Sequence, residues 1–234
     1  MSYYASIIVP ILNERDQLEQ ALARLAIYRQ QGWQLIVVDG GSYDGSEELA
    51  KPYADIVISA KRGRAKQMNA GAALADSPWL FFLHIDTVLP DQPQSIVDLL
   101  PKQNTQVDHH SQAVWGYFTL RLSGLSKVFR LIEWFINKRS FISKIPTGDQ
   151  VMFFNKTLFD TYDGFADIAL MEDVDIAKRL RRKITPKRLP LLVFTSSRRW
   201  EEQGVIKTVV KMWVLRFLFW LGVSPNRFAA WYRS

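Results

Sequence analysis

Polar and charged residues stand directly behind four short apolar runs of this 234-residue chain. Asn13-Glu14 come after Ser6–Val9 and Pro10; Asp39-Gly40-Gly41-Ser42, with Asp44 beyond, follow Leu35–Val38. Lys61-Arg62-Gly63-Arg64 follow Ile56–Ile58, and His84-Ile85-Asp86-Thr87 follow Trp79–Leu83. A carboxylate in the second position can accept hydrogen bonds from a base edge or a ribose, and adjacent glycines let backbone approach a ligand closely. Asp86 is a hard oxygen donor suited to Mg²⁺ or Mn²⁺ bridging to a diphosphate. His84, two residues earlier and on the same side of an extended chain, is a second candidate ligand, although a lone histidine more often hydrogen-bonds nearby.

Further along, Gly148-Asp149-Gln150 precedes a strand pattern and Glu172-Asp173 opens a helical one, where a carboxylate can act as general base. Arg198-Arg199-Trp200 follows the last strand pattern. Two guanidiniums can clamp a diphosphate, and an indole can stack on a sugar or base. Each group has a structural reading as well: helix start, tight turn, cap or solvated basic loop. Their occurrence together, in order, favours one shared site.

The elements that must position them alternate. Strand patterns at residues 6–9, 35–38, 56–58 and 79–83 are separated by helical patterns, the first of which places Leu18, Ala21, Leu22, Leu25 and Ala26 on one face. Residues 46–51 and 65–75 give two further helices. Strand, helix, strand at this spacing predicts an α/β fold with a mostly parallel central sheet and flanking helices, whose ligands bind at the carboxyl ends of the strands. The second half predicts strands at 114–120, 151–154 and 189–195, and a helix at 126–138 with Val128, Leu131, Ile132 and Phe135 inward. Another helix starts after Met171, and a long apolar-basic one spans about 203–222. The polar segment 102–111, with His109 and His110, reads as a loop.

The chain has no cysteine, which excludes disulfides, thiolate metal sites and a cysteine nucleophile. Its net charge of +7 is uneven: residues 178–234 hold 14 Lys and Arg against two acids, whereas the rest leans acidic. A basic tail mixed with Trp213, Phe217, Phe219 and Trp220 suits phosphates or an anionic membrane surface. The apolar run Met212–Val223 is broken by Arg216 and is too short to span a bilayer. No secretory leader pattern opens the sequence, and a reducing, cytoplasmic setting is expected, with peripheral contact at the inner face of the cell membrane. No G-x-G-x-x-G or Walker pattern occurs, which disfavours NAD and Walker-type ATP sites.

Taken together, Ser6-Ile-Ile-Val-Pro-Ile-Leu-Asn13-Glu14, Val37-Val-Asp39-Gly-Gly-Ser42-x-Asp44-Gly45, Phe82-Leu-His-Ile-Asp86 and Met171-Glu-Asp173 resemble a family 2 glycosyltransferase of the Rossmann-like GT-A fold. Gly63-Arg-Ala-x-Gln-Met-Asn69, His84-x-Asp86-Thr87, Gly148-Asp-Gln150 and Arg198-Arg-Trp200 are similar to a small bacterial subgroup. The resemblance covers about residues 5–200, a catalytic domain with a nucleotide-binding half over about 1–90 and an acceptor half over about 112–200. Residues 201–234 are expected to form an amphipathic helical extension beyond the resemblance. It implies that Pro10, Asn13, Glu14, Asp39 and Gly40 line the nucleotide pocket, Asp39 on the base, with Asp44 and Arg64 close by. Asp86 would hold a divalent cation, with His84 standing where many relatives carry a further aspartate. Asp173 would be the general base of an inverting transfer from a UDP- or GDP-linked sugar, and Asp149 and Glu172 would contact donor sugar or acceptor. Arg198, Arg199 and Trp200 resemble the Q-x-x-R-W element of processive relatives without its glutamine, which argues against polymer synthesis. The acceptor is unnamed, with a lipid in keeping with the tail; no specific nucleic acid is implied, and a homodimer is left open. Two other readings stay open: a basic membrane- or nucleic-acid-binding module without catalysis, and a nucleotidyltransferase.

Overall fold

The computed structural model describes residues 3–101, 113–225 and 227. The expected loop with His109 and His110 lies outside them. In chain order the elements are β1 (Ser6–Ile11), α1 (Arg15–Ala23), α2 (Ala26–Gln30), β2 (Gln34–Asp39), α3 (Ser46–Ala50), β3 (Ile56–Ser59), α4 (Arg64–Ala73), β4 (Trp79–Phe82) and β5 (Thr87–Val88). There follow α5 (Pro93–Val97), β6 (Trp115–Leu122), α6 (Lys127–Ser143), a 3₁₀ turn at Gly148–Gln150, β7 (Met152–Asn155), α7 (Lys156–Thr161), α8 (Glu172–Leu180), β8 (Lys187–Thr195), α9 (Arg198–Gln203) and α10 (Val205–Trp220).

One eight-stranded mixed sheet runs in the order β3-β2-β1-β4-β7-β6-β8-β5. β3, β2, β1 and β4 are parallel, as are β6 and β8; β7 joins the two sets by antiparallel pairing on both sides, and β5 adds an antiparallel edge. Helices cover both faces, so the central strands are apolar throughout. Alternation then divides them: Ile7, Val9, Phe81 and Phe153 enter one core, and Ile8, Phe82 and Phe154 the other. Stacked rings tie β4 to β7 across the change of direction, with Phe81 and Phe153 centroids 5.5 Å apart.

Two expectations are corrected. The first helix breaks after Ala23, so Leu18, Leu22 and Leu25 are buried but Ala26 is exposed, and Tyr28 takes the inward position instead. Arg198-Arg199-Trp200 begin the short helix α9, and Gly204 at φ 83° separates it from α10. The packed face of α6 is Phe129, Ile132 and Ile136, while Val128, Leu131 and Phe135 are exposed. Apolar residues of that helix occupy more than one face, so its periodicity does not choose between them. Contact with β6 chooses it, helped by Glu133, whose buried carboxylate accepts the Leu122 N–H at 2.6 Å.

Candidate active site

Because β1, β2 and β4 run parallel, their carboxyl ends lie on one edge of the sheet. A cleft of about 480 Å³ opens there, a volume within the range of small-molecule sites. The strand ends contribute Pro10, Glu14, His84 and Asp86; α4 contributes Arg64 and Gln67 from its first turn. Gly148 and Asp149 come from the 3₁₀ turn, Glu172 and Asp173 from the start of α8, Arg198 and Trp200 from α9, and Met212 and Arg216 from α10. Sequence-distant residues of both halves therefore share one wall-to-wall site.

The loops after β1 and β2 are laced together beside this cleft. Asp39 is fully buried, and its carboxylate accepts the N–H groups of Gly41 at 2.7 Å and Ser42 at 2.8 Å, together with the Ser42 hydroxyl. Asn13 accepts the Tyr43 N–H at 3.0 Å, and Asp44 accepts those of Arg15 at 3.0 Å and Ser46 at 2.9 Å. The Ser46 hydroxyl and these amides hold Asp44 below the usual carboxylate range. Asn13, Asp39, Gly40 and Asp44 are thus brought together with one another but are absent from the cleft lining, where Asp39 was expected to meet a base. Gln67 braces the same region: its buried amide donates to the carbonyls of Ile11 at 2.8 Å and Val38 at 2.9 Å. A Cβ at Gly40 would come within 2.9 Å of that amide, so the glycine makes room for it.

Asp86 sits in a turn, not an extended strand: the Thr87 N–H donates to the His84 carbonyl at 3.0 Å. His84 and Asp86 nevertheless both line the cleft. The His84 Nδ1 lies 3.2 Å from an Asp149 carboxylate oxygen, and a Cβ at Gly148 would fall 2.5 Å from its ring. Only glycine lets that turn lie against the imidazole. Among the described residues no group of three or more His, Cys, Asp or Glu is placed to hold a metal. Asp86 is an exposed carboxylate that accepts the Thr87 hydroxyl at 3.2 Å, its backbone carbonyl accepting the Ser196 N–H at 3.1 Å.

Across the cleft, Asp173 accepts the Gly148 N–H at 2.7 Å with one oxygen and the Val174 N–H at 2.7 Å with the other. These bonds fix the carboxylate plane while leaving one lone pair on each oxygen. Glu172 is buried; burial raises its pKa, with the Arg64 guanidinium 3.9 Å away opposing and the Asp173 charge adding. Burial likewise raises Glu14, opposed by the Gln17 amide. Trp200 packs against the α6 core cluster, and Arg198 lies 3.6 Å from Glu202. Arg199 lies in the same helix, its side chain outside the described residues. Strained backbone surrounds the site: Asn13 (φ 54°), Val151 (φ 47°) and Met171 (φ 70°) adjoin or line it, and for β-branched Val151 this is a genuine outlier.

Sequence reading singled out neither Gln67 nor Arg216 as site residues. Gln67 lay inside a quoted motif, and Arg216 was the one charge interrupting an apolar run.

Comparison with known proteins agrees with this architecture. A PGL/p-HBAD biosynthesis glycosyltransferase of Mycobacterium bovis (strain BCG) is 30% identical over 125 residues, 50% of this chain. One of Mycobacterium tuberculosis (strain H37Ra) matches equally. The matched region covers 47% of these relatives, about half their length. Glucosyl-3-phosphoglycerate synthase of M. tuberculosis, solved with Mn²⁺, UDP and glucosyl-3-phosphoglycerate, superposes with a TM-score of 0.62 at 14% identity, over 94% of this chain and 81% of that one. Mannosyltransferase PcManGT of Pyrobaculum calidifontis, solved with GDP-Man and Mn²⁺, gives 0.59 at 18% identity, over 83% and 57%. These neighbours share the GT-A fold. Residues 6–161, well over half of the sequence, match the family described as Glycosyl transferase family 2, and the chain belongs to that family.

Proposed function

We propose that this chain transfers a sugar, with inversion, from a UDP- or GDP-linked donor to an acceptor hydroxyl. The observation that carries the proposal is the single cleft in which Glu14, Arg64, Asp86, Glu172, Asp173 and Arg198 converge from both halves of the sheet. The donor diphosphate lies toward Asp86, Arg64 and Arg198. The laced loops holding Asn13, Asp39 and Asp44 act on the base by holding backbone against it. Asp149 and Glu172 contact donor sugar or acceptor. Asp173 takes the proton from the acceptor hydroxyl; that oxygen forms its bond to the anomeric carbon as the bond to the diphosphate oxygen breaks, and the electron pair leaves with the diphosphate. A covalent intermediate is not needed.

The residues fit a divalent cation that draws most of its oxygens from the donor itself. Asp86 would hold it as one hard ligand, and His84 is committed to Asp149. Such an ion supplies charge neutralisation on the departing diphosphate.

Thirteen of the 18 exposed large apolar residues among those described lie on α6, on α10 or directly beside them. Val210, Trp213, Val214, Phe217, Trp220 and Leu221 recur at helical spacing on α10, and Val128, Leu131, Trp134 and Phe135 on α6. Lys127, Lys138 and Lys207 flank them. This supports peripheral contact with an anionic membrane and a lipid-linked acceptor. No helix among the described residues is long and apolar enough to cross a membrane. Flotation with phosphatidylglycerol vesicles, abolished in Trp213→Glu/Phe217→Glu, is expected; protein that stays in the soluble fraction with every vesicle refutes the contact.

The transferase reading is tested by thermal midpoints against nucleoside diphosphates and nucleotide-sugars, with and without Mn²⁺. One nucleotide should raise the midpoint, more so with metal, and Asp86→Ala should remove the metal's part. A folded protein indifferent to every nucleotide would sink the reading.

A further inference from the structure

Two arginines have no task in the transfer as derived: Arg216 lines the cleft, and Arg139, outside the lining, is close enough for the Arg216, Asp173 and Asp149 charges to act on it. Arg139 comes from α6 and Arg216 from α10, and Arg216 lines the cleft beside Ile136, Trp200, Asp149 and Asp173. The Nε of each is fully buried and donates no hydrogen bond. Neither guanidinium forms an ion pair among the described residues, and the one side-chain bond of Arg139 goes to the Ser140 hydroxyl at 3.1 Å. Burial lowers both below the ordinary arginine range; burial first and the Arg216 charge second bring Arg139 down to about 9, with the Asp173 and Asp149 carboxylates acting the other way on both. Those carboxylates do not pair with the arginines directly: Asp149 faces His84, and Asp173 is bound to backbone N–H groups. Buried like charges without a paired anion are costly. A phosphate group, with oxygens for two guanidinium forks, relieves that cost.

We propose that Arg139 and Arg216 form a binding site for the phosphate of a phosphorylated acceptor, next to Asp173. The proposal deepens the transferase reading and rests on it for the word acceptor. On the transferase reading the donor diphosphate meets Asp86, Arg64 and Arg198, and the ion pairs of Arg64 and Arg198 go to Glu172 and Glu202, so Arg139 and Arg216 are assigned to a second anion. The phosphate could be carried by a soluble monoester or by a lipid whose chain enters between α6 and α10.

The test measures binding of inorganic phosphate, n-butyl phosphate, and phosphatidylcholine vesicles with and without a prenyl monophosphate. Each is measured on the full chain alone and saturated with whichever nucleoside diphosphate stabilises it. Phosphate should bind with nucleotide already in place, and Arg139→Gln and Arg216→Gln should each weaken it by about 10- to 100-fold, the loss of a charge-assisted hydrogen bond. The nucleotide-induced shift should persist in both variants. Removing a buried cation should also raise the midpoint of the unliganded protein; where a glutamine variant fails to fold, Arg216→Lys, which keeps charge but not the fork, should show the weaker phosphate binding. Tighter binding of prenyl phosphate vesicles than of butyl phosphate assigns the lipid source, and equal binding the soluble one. Phosphate affinity unchanged in the variants, or phosphate that competes with the nucleotide, overturns the proposal. If no nucleotide binds but the arginine-dependent phosphate site is present, the transferase reading fails and the anion site stands.

Discussion

Gln67 offers a direct test of how the cleft is held open at the strand ends. Its amide is 3% exposed and donates to the Ile11 and Val38 carbonyls, joining the ends of β1 and β2 just before Asn13-Glu14 and Asp39. Gln67→Leu deletes both bonds without changing volume greatly. The Ile11 carbonyl keeps the Gly40 N–H at 2.9 Å, so it is not orphaned, and the loss is that of two ordinary hydrogen bonds, about 2 kcal/mol in all. For a chain of this size that lowers the thermal midpoint by roughly 4–8 °C. Gln67→Glu is more informative. A carboxylate there can only accept, and it would face two carbonyl oxygens. Its folded-state pKa would be raised, so the added penalty is absent below the ordinary glutamate pKa of about 4.3 and grows as pH rises above it. The midpoint of Gln67→Glu relative to wild type should therefore be near that of Gln67→Leu at pH 5 and clearly lower at pH 8. Nucleotide affinity should fall in both, because the loops that carry Glu14 and Asp39 lose their brace. Calorimetry at the two pH values, with nucleotide titration, reads all three quantities. Both variants melting within 1 °C or so of wild type at pH 8 would refute the bracing argument.

Asp173→Asn should lower turnover by about 10²- to 10⁴-fold, the usual worth of a general base, with the nucleotide-induced thermal shift retained; turnover near wild type would exclude Asp173 as the base. Glu172 has a raised folded-state pKa, chiefly from burial, so its ionisation disfavours the fold increasingly above its unfolded pKa. Glu172→Gln should accordingly be more stable than wild type by a margin that widens from pH 5 to pH 8, while transfer activity drops. A margin that narrows over that range would contradict the assignment.

Much of the scaffold was legible in the residues themselves. Four apolar runs at regular spacing, each followed by polar residues, required parallel strands whose ends face one edge, because only a sheet covered on both faces accommodates strands without polar alternation. Convergence of Glu14 and Asp86 followed from that topology, whereas Glu172 and Asp173 were joined to them by the resemblance. The tertiary structure decided what side chains did there. Asp39 and Asp44 carry the right chemistry for a ligand and also accept backbone amides and serine hydroxyls, Asp39 within its own turn and Asp44 from Arg15 and Ser46. His84 was paired with Asp149, 65 residues away. The inward face of α6 depended on which of two apolar stripes met β6. The role of Arg216 required α10 to fold back over the cleft. Local spacing determines which residues can share a face or follow a strand; which polar groups find partners depends on long-range contacts, and burial then makes those partnerships obligatory.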